Sequence, residues 1–252
     1  MPYANNGGIR IRYTTEGEGP PLVLHHWSFA TLQDWHDYGY VCALKSDYEL
    51  ILLDARGHGA SDKPHEREAY ALEHRVNDVV AVLDDLGLAK AHFFGYSMGG
   101  WVGFGVAAHA PGRFHSVVIG GQHPYEQSLQ ELRDLLQHGV EGGPEVFISV
   151  WEGNFGILSP EQKARMRAYD FEALLAVAQD RSSLEAVLPN MTVPCLLIVG
   201  ELDPAYPVAQ KCAQHMPDAK FVTVPGVDHI EGLRRCDLLL PHITQFLKTV
   251  GP

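Results

Sequence analysis

The sequence predicts an α/β fold in which helices cover a mostly parallel β-sheet. Segments typical of buried strands alternate with segments typical of helices along most of the 252 residues, which is the pattern of chains that build parallel sheets. A glycine-flanked serine, Ser97, lies between one of these strands and a helix rich in small residues. With 46% hydrophobic residues, a chain of this length can bury one large core and carry an inserted subdomain.

The strand segments are short apolar runs bounded by glycine, proline or polar residues. Asn6-Gly7-Gly8 predicts a hairpin turn, and residues 17–21 predict a second turn into an apolar strand. The predicted strands are residues 9–13, 22–24, 50–53, 91–94, 116–119, 195–199 and 220–224. Their regular separation by helical segments supports the parallel arrangement.

The helix between Leu72 and Leu86 has the clearest periodic signal. Its apolar residues recur at helical spacing, so one face is expected to pack on the sheet. The opposite face carries Glu73, Asn77, Asp78 and Asp84. This segment therefore predicts an amphipathic helix at the surface of the sheet.

The alternation stops between Gln122 and Pro189, where helix signals continue without a convincing strand. Residues 159–162 read Ser-Pro-Glu-Gln, which is a capping-box pattern, and residues 182–185 repeat the serine-to-glutamate spacing. The segment begins just after a strand end, where open α/β sheets place ligand crevices. We therefore expect a helical cap at 122–189 on a core formed by 1–121 and 190–252.

Charge and composition exclude several classes of protein. With 31 acidic and 19 basic residues, the formal net charge is -12, so nucleic acid is not an expected partner. The chain shows no signal-peptide pattern at its start and no apolar run of the ~20 residues that span a bilayer. We expect a cytoplasmic protein without a membrane partner. The four cysteines lack metal-site spacing, so neither a zinc site nor a disulfide framework is predicted.

Ser97 is the centre of a Gly-x-Ser-x-Gly pattern at residues 95–99. Such a turn holds the serine in a strained backbone conformation, and a side chain at Gly95 or Gly99 would collide with the adjacent strand or helix. Because a serine hydroxyl is a poor nucleophile at neutral pH, it needs a base that a carboxylate orients. Ser97 is therefore a candidate nucleophile.

The base and the carboxylate are expected on loops that follow strands. His229 lies directly after the last predicted strand, and Asp203 follows the strand before it in a turn completed by proline. Glu201 is the nearest rival for the carboxylate. Asp228 suits the role less, because adjacent residues rarely direct their side chains into a mutual hydrogen bond. Asp203 and His229 are thus the candidate partners of the serine.

Four separated segments of the chain resemble the α/β-hydrolase superfamily, and the resemblance extends over nearly its whole length. Residues 95–99 are one segment, residues 22–27 are similar to the family's His-Gly turn, and residues 54–62 are similar to its Asp-x-Arg-Gly-x-Gly-x-Ser loop. The fourth is the pair Asp203 and His229, which follow the serine in the family's chain order. The resemblance implies an eight-stranded, mostly parallel sheet, a cap inserted after the sixth strand, and no cofactor or metal.

The resemblance also implies covalent acyl transfer. His229 would deprotonate Ser97, the oxygen would attack a carbonyl, and water would release the acyl group, while Asp203 holds the imidazole in the required tautomer. Two backbone N–H groups would stabilise the oxyanion. They are expected at Met98, after the nucleophile, and at Trp27, in the His-Gly-like turn.

His26 occupies the position where the family's turn has glycine. Its ring either packs under the cap or enters the pocket and hydrogen-bonds the substrate. A zinc site at His25 and His26 is less attractive, because successive residues near a strand end point to opposite faces. The residues predicted to contact the substrate are His26, Trp151, Phe147 and Tyr206.

A cap with aromatic and aliphatic residues and few basic ones predicts a small to medium, largely apolar carboxylic ester or lactone as the substrate. Two alternatives stay open. A carbon-carbon bond hydrolase of a diketone-type substrate would use the same triad and cap, and a ligand receptor with slow turnover could use the same scaffold. Haloalkane dehalogenation is disfavoured, because that chemistry uses aspartate where this chain has Ser97. The oligomeric state is left open.

Overall fold

The computed structural model describes residues 2–251 and contains one eight-stranded sheet. The strands are β1 (Tyr3–Asn6), β2 (Ile9–Glu16), β3 (Pro21–His25), β4 (Glu49–Leu53), β5 (Ala91–Tyr96), β6 (Phe114–Gly120), β7 (Cys195–Gly200) and β8 (Ala219–Val224). Their order is β1-β2-β4-β3-β5-β6-β7-β8. The β1–β2 and β2–β4 pairs are antiparallel, and all the others are parallel. The predicted fold class and strands are confirmed.

Helices cover both faces of the sheet. They are α1 (Asp34–Asp37), α2 (Tyr40–Leu44), α3 (Leu72–Asp85), α4 (Met98–His109), α5 (Gln130–Phe155), α6 (Pro160–Arg167), α7 (Phe171–Val177), α8 (Tyr206–Ala213), α9 (His229–Arg234) and α10 (Cys236–Val250). Helices α3, α4 and α8 share one buried cluster with one face of the strands, and α1, α2 and α10 share another with the opposite face. Because successive strand residues point to opposite faces, Phe93 belongs to the first cluster and Phe94 to the second.

The segment between β6 and β7 is helical, as predicted. It contains α5, α6, α7 and a short 3-10 helix at Glu185–Asn190, with its own apolar cluster. Helix α5 is broken at Gly143, whose φ of 76° and following proline interrupt the helix. The capping box at Ser159 and Gln162 is present, whereas residues 182–185 form no capping box, since Leu184 precedes the 3-10 helix. The division of the chain into a core and a cap at 122–189 stays a prediction.

Asp78 lies away from the apolar stripe of α3 but is not exposed to solvent. Its side chain is buried, and its carboxylate accepts hydrogen bonds from Arg56 Nε at 2.6 Å and Nη2 at 2.5 Å. Asn6 Nδ2 donates a third at 2.8 Å. A bidentate guanidinium offsets much of the cost of removing a carboxylate from water. The helical period of α3 shows which face of the helix carries Asp78. It does not show that Arg56 lies opposite that face.

Two further expectations concern the membrane and the cysteines. Over the residues from Pro2 to Gly251, no helix combines the length and the apolar character needed to cross a bilayer. All four cysteines are free thiols, of which Cys195 and Cys212 are buried. Burial raises the pKa of the Cys212 thiol to about 12, so this thiol stays protonated at neutral pH.

Buried histidines make the stability of the fold sensitive to acid. Burial lowers the pKa of His25 to about 3 and that of His92 to about 4, and it also lowers the pKa of His26 and of His58. The folded chain then binds fewer protons than the unfolded chain below about pH 6.5. We expect His25 and His92 each to lower the free energy of unfolding by roughly 1 kcal/mol as the pH falls from 6.5 to 5.5. Urea unfolding across this range measures the effect.

His92→Gln tests one of these contributions. The ring Nδ1 of His92 lies 2.7 Å from Ser116 Oγ, and glutamine keeps a polar group there without a proton to gain. When the pH falls from 6.5 to 5.5, the free energy of unfolding of the variant should decrease by about 1 kcal/mol less than that of the wild type. His138→Gln, at an exposed position in α5, is the control and should leave the pH slope unchanged. If the free energy of unfolding depends equally on pH in His92→Gln and in the wild type, His92 does not contribute to the acid sensitivity.

Candidate active site

Ser97 occupies a strained turn between β5 and α4. Its φ of 54° and ψ of -110° lie outside the regions that L-residues favour. A Cβ at Gly95 would lie 2.1 Å from the Gly99 carbonyl oxygen, and one at Gly99 would lie 2.2 Å from the His25 carbonyl oxygen. Both predicted collisions are therefore confirmed. The two glycines allow the turn to lie directly against the end of β3.

Gly99→Ala is expected to lower the free energy of unfolding by about 1–3 kcal/mol, because the added methyl group displaces the backbone at His25. The end of β3 leads into Trp27, so activity toward the esters predicted as substrates should fall as well. Urea unfolding and kcat/KM measure the two effects. Gly112→Ala is the control, because a Cβ at Gly112 meets no atom within 4 Å. Equal stability of the two variants would contradict the steric argument.

The structure brings the three candidate residues of the triad together at the carboxyl ends of the strands. His229 Nε2 lies 3.0 Å from Ser97 Oγ, and His229 Nδ1 lies 2.7 Å from Asp203 Oδ2. Asp203 is buried, and its second oxygen accepts a hydrogen bond from the Ala205 N–H at 2.8 Å. Because the carboxylate accepts from Nδ1, the proton of the neutral ring belongs there and Nε2 is left to accept from the serine hydroxyl.

The rival carboxylates have other partners. Glu201 Oε2 accepts a hydrogen bond from the Gly226 N–H at 3.1 Å, so it joins the loops after β7 and β8. Asp228 Oδ1 caps α9 by accepting from the N–H groups of Ile230 and Glu231 at 2.9 and 2.8 Å. Neither carboxylate bonds to the imidazole of the candidate base. The geometry therefore selects the carboxylate that the sequence favoured.

Tyr96 is a residue of the site that the sequence did not reveal. Its ring is buried, and its hydroxyl donates a 2.8 Å hydrogen bond to the backbone carbonyl of His229. This bond ties the histidine loop to the strand that carries the serine. A signal exists in the pair Gly120 and Gly121, because a Cβ at either position would lie within 3.0 Å of the Tyr96 side chain.

Trp27 and Met98 lie where the resemblance implies. Trp27 follows β3 and lines the same cavity as Ser97, while Met98 is the first residue of α4. Within residues 2–251, neither backbone N–H donates a hydrogen bond. The Met98 N–H belongs to the first turn of a helix, where orphan donors and the helix dipole favour negative charge. The arrangement offers two unused donors near the serine.

The prediction that His26 contacts the substrate is wrong. Its ring is fully buried, and Nε2 accepts a hydrogen bond from the Ala55 N–H at 3.0 Å. Nδ1 lies 2.7 Å from the carbonyl oxygen of Trp27, and one neutral tautomer satisfies both contacts. The ring also packs edge-on against His58 at 5.0 Å. His26 therefore fixes the loop after β3 to the loop after β4, instead of entering the cavity.

A cavity of about 560 Å³ lies between the strand ends and the helical segment. Ser97, His229 and Asp203 line it, as does Trp151, which was predicted to contact the substrate. Its volume suits a small-molecule ligand, for which cavities of roughly 300–1,000 Å³ are usual. The remaining lining residues include apolar side chains of the helical segment and of the loop after β3, together with polar and charged side chains such as Gln127, Glu131 and Arg181.

Two other predicted substrate contacts lie outside this cavity. Phe147 is fully buried in the apolar cluster of the helical segment, with its ring centroid 5.0 Å from that of Phe171. Tyr206 lies in α8, and its hydroxyl is 3.1 Å from Thr223 Oγ1. The predicted contacts at both positions are therefore wrong. An aromatic residue on an amphipathic helix packs against its own layer as readily as it lines a site.

Phe29 connects the loop after β3 to the helical segment. It is one of two non-glycine residues between 2 and 251 with positive φ, at 60°. Its ring packs against Phe147 and Trp151 at centroid distances of 5.6 and 5.2 Å, and its carbonyl accepts a hydrogen bond from the Tyr169 hydroxyl. The conformation of the loop that carries Trp27 therefore depends on contacts with the helical segment.

An ion-pair cluster docks α6 beside the cavity. Arg165 Nη2 lies 2.6 Å from Asp37 Oδ2 and 3.2 Å from Asp34 Oδ1, and both carboxylates belong to α1. Burial is the largest influence on Asp34 and raises its pKa, while the nearby guanidinium opposes the shift. The charge of Arg165 is thus balanced by two carboxylates, and its main consequence is to hold α6 against α1.

Comparison with known proteins identifies the family of the chain. The family model described as alpha/beta hydrolase fold matches residues 20–156, which is more than half of the chain. The chain is 26% identical to a putative 2-succinyl-6-hydroxy-2,4-cyclohexadiene-1-carboxylate synthase of Bacillus subtilis, over 95% of this chain and 96% of that one. It is 28% identical to 3-oxoadipate enol-lactonase 2 of Acinetobacter baylyi, over 80% of this chain and 79% of that one.

A solved structure is similar over the full length. The enol-lactonase from Burkholderia xenovorans LB400 superposes with a TM-score of 0.85 at 25% identity, covering 98% of this chain and 100% of that one. The chain therefore belongs to the α/β-hydrolase family.

Proposed function

We propose that this protein is a serine hydrolase that cleaves a small to medium carboxylic ester or lactone through an acyl-enzyme intermediate. The observation that carries the proposal is the chain of hydrogen bonds from Ser97 through His229 to Asp203, at 3.0 and 2.7 Å, in the wall of the cavity. A serine on a strained turn, a histidine within reach and a buried carboxylate behind it are the parts that nucleophilic acyl transfer requires.

The first half-reaction forms the acyl-enzyme. His229 Nε2 accepts the hydroxyl proton as Ser97 Oγ attacks the carbonyl carbon, and Asp203 stabilises the imidazolium that results. The developing oxyanion accepts hydrogen bonds from the backbone N–H groups of Trp27 and Met98, each worth roughly a hundred- to a thousandfold in rate. The C–O bond then breaks as the imidazolium gives its proton to the leaving oxygen.

The second half-reaction returns the free enzyme. Water enters the cavity, His229 takes one of its protons, and the resulting oxygen nucleophile attacks the acyl carbon. Collapse of the second tetrahedral intermediate breaks the bond to Ser97 Oγ, which regains a proton from the imidazolium. In a lactone the leaving oxygen stays attached to the acyl group, so a single hydroxy acid is released. Two of the similar proteins are named as enol-lactonases, which supports a lactone as one substrate class.

A panel of substrates tests the proposal. It contains p-nitrophenyl esters with acyl chains of two to eight carbons, five- and six-membered lactones, and a vinylogous diketone for carbon-carbon cleavage. Esters or lactones should turn over, and the diketone should not. Selective turnover of the diketone would favour the carbon-carbon hydrolase, and tight ligand binding without turnover would favour a receptor.

A fluorophosphonate probe tests the assigned nucleophile and base. It should label Ser97 alone, as mapped by peptide mass spectrometry, because only an activated serine reacts quickly. His229→Ala should slow labelling strongly, whereas His242→Ala, at an exposed position in α10, is the matched control. Labelling at the wild-type rate in His229→Ala would remove His229 from the mechanism.

A further inference from the structure

Arg181 is a buried cation in the wall of the catalytic cavity. Its side chain is 9% exposed, and its Nη1 donates a 2.8 Å hydrogen bond to Gln127 Oε1. The guanidinium carbon lies 5.5 Å from the centroid of the Trp101 ring. In the part of the chain that the structure describes, no carboxylate pairs with it, and Nε and Nη2 have no acceptor. The Nε–Nη2 edge is the one that binds a carboxylate through two parallel hydrogen bonds.

The position of Arg181 suits a group attached to the substrate. The residue lies between the catalytic cavity and a second cavity of about 320 Å³, and it lines both. The ring of Trp101 lies under the guanidinium. The backbone N–H of Trp101 donates to the Ser97 carbonyl, so this residue lies one helical turn beyond the nucleophile, about 5–6 Å along the axis. A short chain can therefore connect a carbonyl at the serine to an anion at Arg181.

The surrounding charges leave Arg181 uncompensated. After burial, the charge that acts on its pKa is that of Arg75, another cation, which lines the second cavity and donates to the backbone carbonyls of Tyr70 and Val177. Burial lowers the pKa of Arg181 to about 9, and the guanidinium is still charged at neutral pH. A buried charge without a partner is costly, so a ligand of opposite charge gains from meeting it.

The carboxylates near these cavities are exposed or engaged elsewhere. Asp180 lines the second cavity and is bound to Arg133 at 2.9 Å, and Glu73 lies exposed at its edge. At the catalytic cavity, Asp203 is bonded to the histidine of the site, and Glu131, in the first turn of α5, is exposed and forms no ion pair with Arg181. Asp34 pairs with Arg165. Arg181 thus remains as the buried guanidinium of the catalytic cavity without a carboxylate.

We propose that Arg181 binds a carboxylate of the substrate, so that the preferred ester or lactone is an anion with its carboxylate a few bonds from the scissile carbonyl. The inference rests on the proposed function, because it names the substrate class of the same site. It replaces the largely apolar substrate expected from the composition of the cap. Gln127 orients the guanidinium, Trp101 supports its face, and the Nε–Nη2 edge meets the carboxylate.

A matched pair of esters tests the proposal. Mono(4-nitrophenyl) glutarate and 4-nitrophenyl pentanoate differ by a carboxylate in place of a terminal methyl group, and rates are corrected for spontaneous hydrolysis. The wild type should prefer the glutarate ester. Arg181→Gln should lower kcat/KM for it by about 10- to 100-fold, the range expected for a charge-assisted hydrogen bond, and lower kcat/KM for the pentanoate by less than threefold. Arg181→Lys should restore part of the loss.

The control for general electrostatics is Arg234→Gln, which removes the same charge from an exposed arginine at the cavity rim. It should change the ratio of the two esters by less than threefold. An equal loss on both esters in Arg181→Gln would assign Arg181 to packing alone and overturn the proposal. A wild-type preference for the pentanoate, or the same selective loss in Arg234→Gln, would overturn it too.

Binding separates this inference from the proposed function. Calorimetry with glutarate as the probe should detect binding to Ser97→Ala and none to Ser97→Ala combined with Arg181→Gln. If glutarate binds in this pattern but neither ester is cleaved by the wild type, the acyl-transfer function fails and the carboxylate site stands. If the pentanoate is cleaved but glutarate does not bind, the carboxylate site fails and the hydrolase stands.

Discussion

Ser97→Ala is expected to lower kcat/KM for the best ester of the panel by about 10⁴- to 10⁶-fold, the range seen when a triad loses its nucleophile. The substitution removes the oxygen that forms the acyl-enzyme and leaves the imidazole without a hydroxyl to deprotonate. The hydroxyl of Ser97 has one side-chain partner, His229 at 3.0 Å, so its loss leaves the turn and the fold intact. Steady-state kinetics on freshly purified protein, together with circular dichroism, measure both consequences.

The control for this variant is Ser183→Ala, which removes an exposed hydroxyl that accepts a hydrogen bond only from the Glu185 N–H. It should retain wild-type kinetics and fluorophosphonate labelling. Residual activity in Ser97→Ala above about one part in a thousand would mean that another group supplies the nucleophile. Mass spectrometry of the quenched reaction then distinguishes an acylated residue elsewhere from direct attack by water.

Asp203→Asn is expected to lower kcat by about 10⁴-fold while the protein stays folded. The amide keeps the shape of the carboxylate but presents an N–H₂ group to His229 Nδ1, which favours the tautomer with the proton on Nε2. That tautomer cannot accept the proton of Ser97. The 2.8 Å hydrogen bond from the Ala205 N–H can persist to the amide oxygen, so the turn after β7 is retained.

Glu201→Gln is the matched control for Asp203→Asn, because it makes the same chemical change two residues earlier in the same loop. Glu201 accepts only from the Gly226 N–H, and its amide can accept the same hydrogen bond. The variant should stay within threefold of wild-type kcat. A large loss in Glu201→Gln with a small loss in Asp203→Asn would reverse the assignment of the orienting carboxylate.

The residues that the sequence located correctly are those whose positions follow from the topology. Ser97, Asp203 and His229 all lie within five residues of the carboxyl end of a strand, and parallel strands bring these ends to one edge of the sheet. Strands also show a two-residue period that does not depend on distant partners. A motif that ends a strand is therefore placed in space as soon as the strand order is known.

The residues whose surroundings the sequence did not predict depend on a partner far along the chain. Asp78 is buried because Arg56 lies opposite, and His26 is buried because the Ala55 N–H needs an acceptor. Phe147 turns into the helical segment, and the helical period does not say which layer receives it. In the sequence, Arg181 is only one of the few basic residues of the cap. In the proposed carboxylate site it matters because no carboxylate within residues 2–251 pairs with it.

The packing of Phe29 limits what protein engineering can do with this chain. Exchange of the segment 122–189 for a different cap is an obvious route to new specificity. This exchange would also remove Phe147, Trp151 and Tyr169, which contact Phe29. The loop with Trp27 would then lose the contacts that hold Phe29 at positive φ. A grafted cap must therefore supply aromatic side chains that pack against Phe29. Otherwise the chimera will have an intact triad beside a loop that does not hold Trp27 in place.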